Sequence, residues 1–202
     1  MKNLIYALAL LISFSSFGQT AEEYFKSAFQ KDDLGDYIGA IADFSKSIEL
    51  LPEQDRNKPA AYNNRGFAKL NKAIELDPNS AIYYNDDFLD DGSFEEWAIS
   101  KETLRYYNGA ISDFDKAIEL KLDYTYAYKN RGYTKSFLKD YKGAIADYTK
   151  AIGLDPNYVE AYSNRGISKE SLGDLNGACA DWKKAAELGD TDAAKWVANQ
   201  CN

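Results

Sequence analysis

The amino-acid sequence predicts an all-α repeat protein, on three observations. Small and apolar residues recur at a spacing of 34: Gly132 to Gly166, Ala144 to Ala178, Ala151 to Ala185 and Leu154 to Leu188. Within each period the apolar residues share one helical face, as Ala144, Ile145, Tyr148, Ala151 and Ile152 do, and again Ala178, Cys179, Trp182, Ala185 and Ala186. No window of comparable length alternates as a strand would. A unit this short cannot bury its apolar face alone, so the units must stack.

The chain begins with a segment that stands outside the repeats. Met1-Lys2 is a short basic start, Leu4 to Phe14 is an apolar run broken only by Ser13, and Ser16-Phe17-Gly18 supplies small residues. This is the pattern of a secretory signal peptide over residues 1–18, cleaved near Gly18. The run is shorter than the ~20 residues a spanning helix needs, which argues against a membrane anchor. No cysteine follows it to carry a lipid. On this reading the mature chain is periplasmic or secreted, and loss of Lys2 takes the net charge from −8 to −9. An acidic surface argues against nucleic acid and anionic membrane as partners.

The first unit, residues 21–54, fits the repeat frame without a gap. Tyr24, Ala28, Leu34, Tyr37, Ala40, Phe44 and Pro52 fall where Tyr128, Gly132, Leu138, Tyr141, Ala144, Tyr148 and Pro156 fall. Two further intact units occupy 125–158 and 159–190. The period, the small residues Gly132 and Ala144, the aromatics Tyr128, Tyr141 and Tyr148, and the closing Asp155-Pro156 resemble the tetratricopeptide repeat. The resemblance implies a right-handed solenoid of antiparallel helix pairs. It also implies close helix approach at Gly132 and Ala144, and a turn at "LKDY".

Residues 59–124 are irregular. "AAYNNRGFAKLNKAIELD" lacks the turn and most of a second helix, and Phe67, Leu70 and Ile74 share one face, which predicts one unbroken helix of about five turns. The material after it is oversized: Ala73 to Ala117 is 44 residues. Ala81, Tyr84 and Phe88 make a short stripe, and Ser93 to Glu96 read as a capping box. Four helices are therefore expected between Pro59 and Leu122, with a loop over 80–92 as the alternative. About five units then fill residues 19–190.

After Leu188, Gly189 stops a helix, and Asp190 or Thr191 caps the next. Residues 191–202 are expected to be a terminal capping helix with Trp196 packed on the last pair. Cys179 and Cys201, the only cysteines, lie level in an antiparallel hairpin about that turn. A disulfide between them is expected, stabilising the cap by roughly 3 kcal/mol, against the alternative of a buried thiol and a frayed end.

Catalysis finds nothing to stand on. The chain has no histidine and none of the phosphate-loop, dinucleotide, nucleophile-elbow or C-x-x-C motifs. A non-catalytic chain without cofactor or metal is expected. "NDDFLDDGSFEE", residues 85–96, is acidic, but aligning Gly92 with an EF-hand glycine puts Leu89 and Ala98 at ligand places. A calcium-stabilised accessory protein using Asp90 and Asp91 is kept as one alternative.

Each of Arg65, Arg131 and Arg165 follows an asparagine. Some members of the resembled family clamp a partner's terminal carboxylate with asparagine and basic residues; Glu160 and Asn164 stand where that clamp needs cations. A structural role is expected instead, through the inter-unit pairs Asp43–Arg65, Asp113–Arg131 and Asp147–Arg165. The resemblance places partner binding on the concave surface of the first helices. Its columns are Phe25 and Phe29, Asn63 and Phe67, Tyr126, Tyr133 and Phe137, then Ser163 and Ile167. Rigid rings beside short polar residues suit a protein or extended peptide. Self-assembly through an uncapped N-terminal face at Tyr24 and Phe25 is the other alternative.

Overall fold

The computed structural model describes residues 19–77 and 99–201. Among these residues there are nine helices and no strand: α1 (Ala21–Asp33), α2 (Tyr37–Leu50), α3 (Lys58–Leu76), α4 (Lys101–Leu120), α5 (Thr125–Phe137), α6 (Tyr141–Leu154), α7 (Val159–Glu170), α8 (Leu175–Glu187) and α9 (Thr191–Gln200). They form four consecutive hairpins, α1/α2, α3/α4, α5/α6 and α7/α8, with α9 packed on α8. Each of α1 to α8 packs on its hairpin partner and each second helix packs on the helix that follows it, so the core runs the length of a solenoid.

Local chemistry sets the turns. Thr20 and Glu23 close a capping box at the start of α1. The second helix of three hairpins opens on an aspartate, Asp36, Asp140 or Asp174, whose carboxylate accepts from the amide of Gly39, Gly143 or Gly177 at 2.9–3.0 Å. The residue before the cap is left-handed in all three, at Gly35, Lys139 and Gly173, with φ of 76°, 58° and 81°.

Inside each hairpin a small residue on the first helix faces a ring on the second. Ala28 shares a buried cluster with Phe44. Gly66, Gly132 and Gly166 lie against Phe114, Tyr148 and Trp182, and a Cβ at any of them would come within 3.0 Å of the ring. These rings are fully buried and form the spine of the core.

The irregular middle is organised differently from the expectation. α3 is a single helix of 19 residues, as read, but its hairpin partner is α4. Leu70 and Ala73 of α3 and Tyr107, Ala110 and Phe114 of α4 make one buried cluster. Gly66 and Ala110 correspond to Gly132 and Ala144, so 44 residues separate two columns that stand 12 apart elsewhere. The described residues of 59–124 thus supply one hairpin with both helices extended. The expected helix over Ala81–Phe88 and the capping box at Ser93 lie outside the described residues.

The ion pairs also correct the expectation. Arg65 is paired with Asp113, Arg131 with Asp147 and Arg165 with Asp181, each within one hairpin. In every case Nε and Nη2 fork onto the two carboxylate oxygens, at 2.5–3.0 Å. Lys69, Lys135 and Lys169, one turn on, join the same aspartates at 2.8 Å. The remaining guanidinium nitrogen, Nη1, donates to the preceding second helix, at Ser45, Asp115 and Thr149. Inter-unit reach therefore exists, but it lands two residues beyond Asp43, Asp113 and Asp147. In the first hairpin Ser27 takes the arginine's place and, with Lys31, binds Asp43.

The two ends are finished by different means. At the N-terminus exposed Glu23 stands in the column of buried Ala61, Ala127 and Ala161, and exposed Gln30 in that of buried Ala68, Thr134 and Ser168. At the C-terminus α9 covers α8: Trp196 lies 5.5 Å from Trp182, and Cys179 is disulfide-bonded to Cys201.

Candidate partner-binding groove

The first helices α3, α5 and α7 lie side by side along one wall of the solenoid. Short polar side chains join them laterally: Asn130 Nδ2 donates to Asn63 Oδ1 at 3.1 Å, and the Ser136 and Ser168 hydroxyls are 3.3 Å apart. The Asn130–Asn63 bond pairs a donor and an acceptor that close approach of the helices would otherwise bury unpaired.

The nine residues assigned to this wall separate into three groups. Phe29, Phe67 and Tyr126 are exposed, at 41%, 37% and 60%. Phe25, Tyr133 and Ile167 are half-buried. Phe25 and Phe29 meet edge to face at 5.1 Å, and each meets Phe44 at 5.5 Å, so both rings are rigidly backed. Asn63, Phe137 and Ser163 are buried and line no solvent-facing surface. Phe137 turns inward to stack on Tyr107 at 5.6 Å, because the extended α4 brings Tyr107 beneath it. Ser163 donates to the Asp190 carboxylate at the start of α9.

Two features escaped the sequence reading. Lys129 occupies the column of Phe25, Asn63 and Ser163, which alignment of the columns would have disclosed. It is half-buried, and burial holds its ammonium below the ordinary lysine range, partly offset by Glu160. Tyr126 also stands between Tyr124 and Tyr158, at 6.2 and 6.0 Å, both edge to face. Burial raises the phenols of Tyr124 and Tyr158, which keeps them as neutral donors. The signal was three tyrosines flanking the helix starts of α5 and α7, of which only Tyr126 is assigned to the wall from the sequence.

The arginine column is occupied and offers no anion site. Besides the carboxylate fork, Arg65, Arg131 and Arg165 lie over the rings of Tyr62, Tyr128 and Tyr162 at 5.3–5.6 Å. Among the described residues no group of three or more histidines, cysteines and acids could hold a metal, and no helix is long and apolar enough to cross a membrane. The acidic stretch 85–96 lies outside the described residues except in sequence. The wall as described is aromatic and neutral-polar, with one half-buried cation at Lys129.

Comparison with known proteins agrees with this architecture. Residues 138–173 match the family described as TPR repeat. No curated protein sequence matches the chain. Among solved structures, a crystal structure of MamA superposes with a TM-score of 0.61 at 23% identity, covering 86% of this chain and 81% of that one. A second MamA structure, from Desulfovibrio magneticus RS-1, gives 0.60 at 17% identity, covering 86% and 78%. A tetratricopeptide repeat protein from Parabacteroides merdae gives 0.62 at 17% identity, covering 87% of this chain and 57% of that one. The family match and the superpositions agree on the fold, a stack of tetratricopeptide-like helix hairpins.

Proposed function

The chain is an all-α solenoid of the tetratricopeptide-repeat kind, and on that premise we propose that it is a non-catalytic scaffold binding an extended peptide along its first helices. One observation carries the reading: Phe29, Phe67 and Tyr126, one per hairpin in α1, α3 and α5, expose rings that the core does not need. The fully buried spine at Phe44, Phe114, Tyr148 and Trp182 already fills the interior. Rigid aromatics cost little entropy to immobilise, so they suit recognition of a partner's side chains. Lys129 adds a cation whose partial desolvation is relieved by a partner carboxylate. The preferred ligand is therefore a peptide with apolar side chains and an acidic residue near its middle.

Selection of displayed random peptides tests this. Peptides enriched on the parent should fail to bind a Phe29→Ala/Phe67→Ala/Tyr126→Ala variant of unchanged thermal stability. Equal binding by parent and variant would refute the groove.

The proposal includes export. The basic–apolar–small pattern of residues 1–18 and the disulfide between Cys179 and Cys201 both favour an oxidising compartment. N-terminal sequencing of the mature chain should begin near Gln19, and retention of Met1 would count against it. Polar Glu23 and Gln30 at the N-terminal end disfavour head-to-tail stacking of copies, the alternative kept above.

A further inference from the structure

The helix that ends the solenoid packs on α8 and is flanked by the solenoid on one side only. α9 has ten residues, fewer than the ~12–15 that make even an isolated helix marginal. Ala193 is its one buried residue, and seven of the ten are exposed. Trp196 and Val197 pack partly on the cluster of Ala178, Trp182 and Ala185, and the Ser163–Asp190 bond pins the first turn. α3, α5 and α7 are each held by a hairpin partner as well as by the helix before them. α9 has no such partner among the described residues. The disulfide at its C-cap, Cys201 to Cys179 near the start of α8, is what clamps its far end. Gly189, left-handed at φ 104°, is the flexible hinge at the near end.

We propose that the Cys179–Cys201 disulfide is a redox-operated latch on the C-terminal cap. A small dithiol reductant supplies two electrons and two protons: the Sγ–Sγ bond breaks, both cysteines become thiols, and the reductant closes into its own disulfide. α9 then swings on Gly189 and uncovers the end of the solenoid at Trp182. A small disulfide oxidant takes back the two electrons and two protons, is itself reduced to two thiols, and closes the latch again. The latch stands whether or not the groove binds peptide. If the groove reading holds, release of α9 also frees its C-terminal end, because Ile167 shares a cluster with Trp196, Val197 and Cys201.

Amide hydrogen exchange on the full chain, read by peptide mass spectrometry, tests the latch in oxidised protein, in protein reduced with dithiothreitol, and in Cys179→Ser/Cys201→Ser. Opening a link that closes a 22-residue span should speed exchange of residues 191–200 about a hundredfold. Exchange in α5 and α6 should stay within about twofold of the oxidised chain, since the cap packs on α8 and on the cluster around Trp182. Re-oxidation should restore the slow rate. Unchanged exchange in 191–200 after reduction overturns the latch. An equal rise throughout α5 to α9 overturns it too, because the disulfide would then serve global stability instead. The reduced parent decides the question by itself should the double variant fail to fold.

Discussion

Gly166→Ala is the sharpest test of the packing on which the solenoid depends. A Cβ at residue 166 would stand 2.3 Å from Nε1 and 2.5 Å from Cδ1 of Trp182. Ordinary contact begins near 3.4 Å, so the indole must move by about an ångström. It has nowhere to go, being fully buried among Ala178, Ala185 and Ala193. Overpacking of this kind costs about 1–3 kcal/mol. Displacing the ring also strains the Trp182 Nε1 to Ser163 carbonyl hydrogen bond at 3.3 Å, worth about 1 kcal/mol. Against these stands a gain of about 1 kcal/mol for alanine over glycine inside a helix. The net expectation is destabilisation of about 1–3 kcal/mol. Gly132→Ala is the internal control: its Cβ would lie 3.0 Å from Tyr148 and 3.2 Å from the Ala144 carbonyl, so the helix-propensity gain nearly offsets the crowding. Urea unfolding followed by circular dichroism measures both. Gly166→Ala at parental stability, or costing less than Gly132→Ala, would refute the reasoning.

Three further outcomes are expected. Asp147→Ala removes the shared acceptor of Arg131 and Lys135 and leaves two cations facing one another, so urea unfolding should show a loss of about 3–5 kcal/mol; Arg131→Leu should likewise lower stability while peptide binding is unchanged. Burial works against the charge on Asp190, but the Ser163 hydroxyl and the amides of Ala193 and Asp192 outweigh it and hold the carboxyl below 3.8. The contribution is therefore complete above the ordinary carboxylate value and is lost as pH falls through the lower folded value, so protection of the α9 amides relative to their intrinsic exchange rate should fall only below about pH 4, and that response should vanish in Asp190→Asn. Lys129→Glu, at unchanged melting temperature, should weaken peptides selected on the parent at least tenfold by fluorescence polarisation, since it sets like charge against an acidic ligand.

The columns were legible in the sequence because each hairpin solves the same packing problem with the same residue types. Gly66, Gly132 and Gly166 opposite Phe114, Tyr148 and Trp182 repeat for that reason. The partners of those columns were less legible. In a repeat, a residue spaced to meet its own hairpin is also spaced to meet the next one, and the period alone cannot choose. That ambiguity put Arg131 on Asp113 instead of Asp147. The middle misled by likeness: "KAIEL" at 72–76 is identical to "KAIEL" at 116–120. The first ends α3, the first helix of a hairpin, and the second ends α4, the second helix of the same hairpin. The groove was half legible, since a column states that a residue is on the first helix and not whether a neighbour covers it. Phe137 was lost to Tyr107, and Ser163 to Asp190.

By itself the sequence determined the helical class, the stacking period, the small-against-aromatic interior and the level placement of Cys179 and Cys201. These follow from interactions within one short unit or across one turn. Tertiary structure alone decided that α3 pairs with α4 across the long connection, which carboxylate each arginine grips, and which rings of the wall reach solvent. Each of these is a choice among partners of nearly equal local merit, and the whole stack's packing selects one.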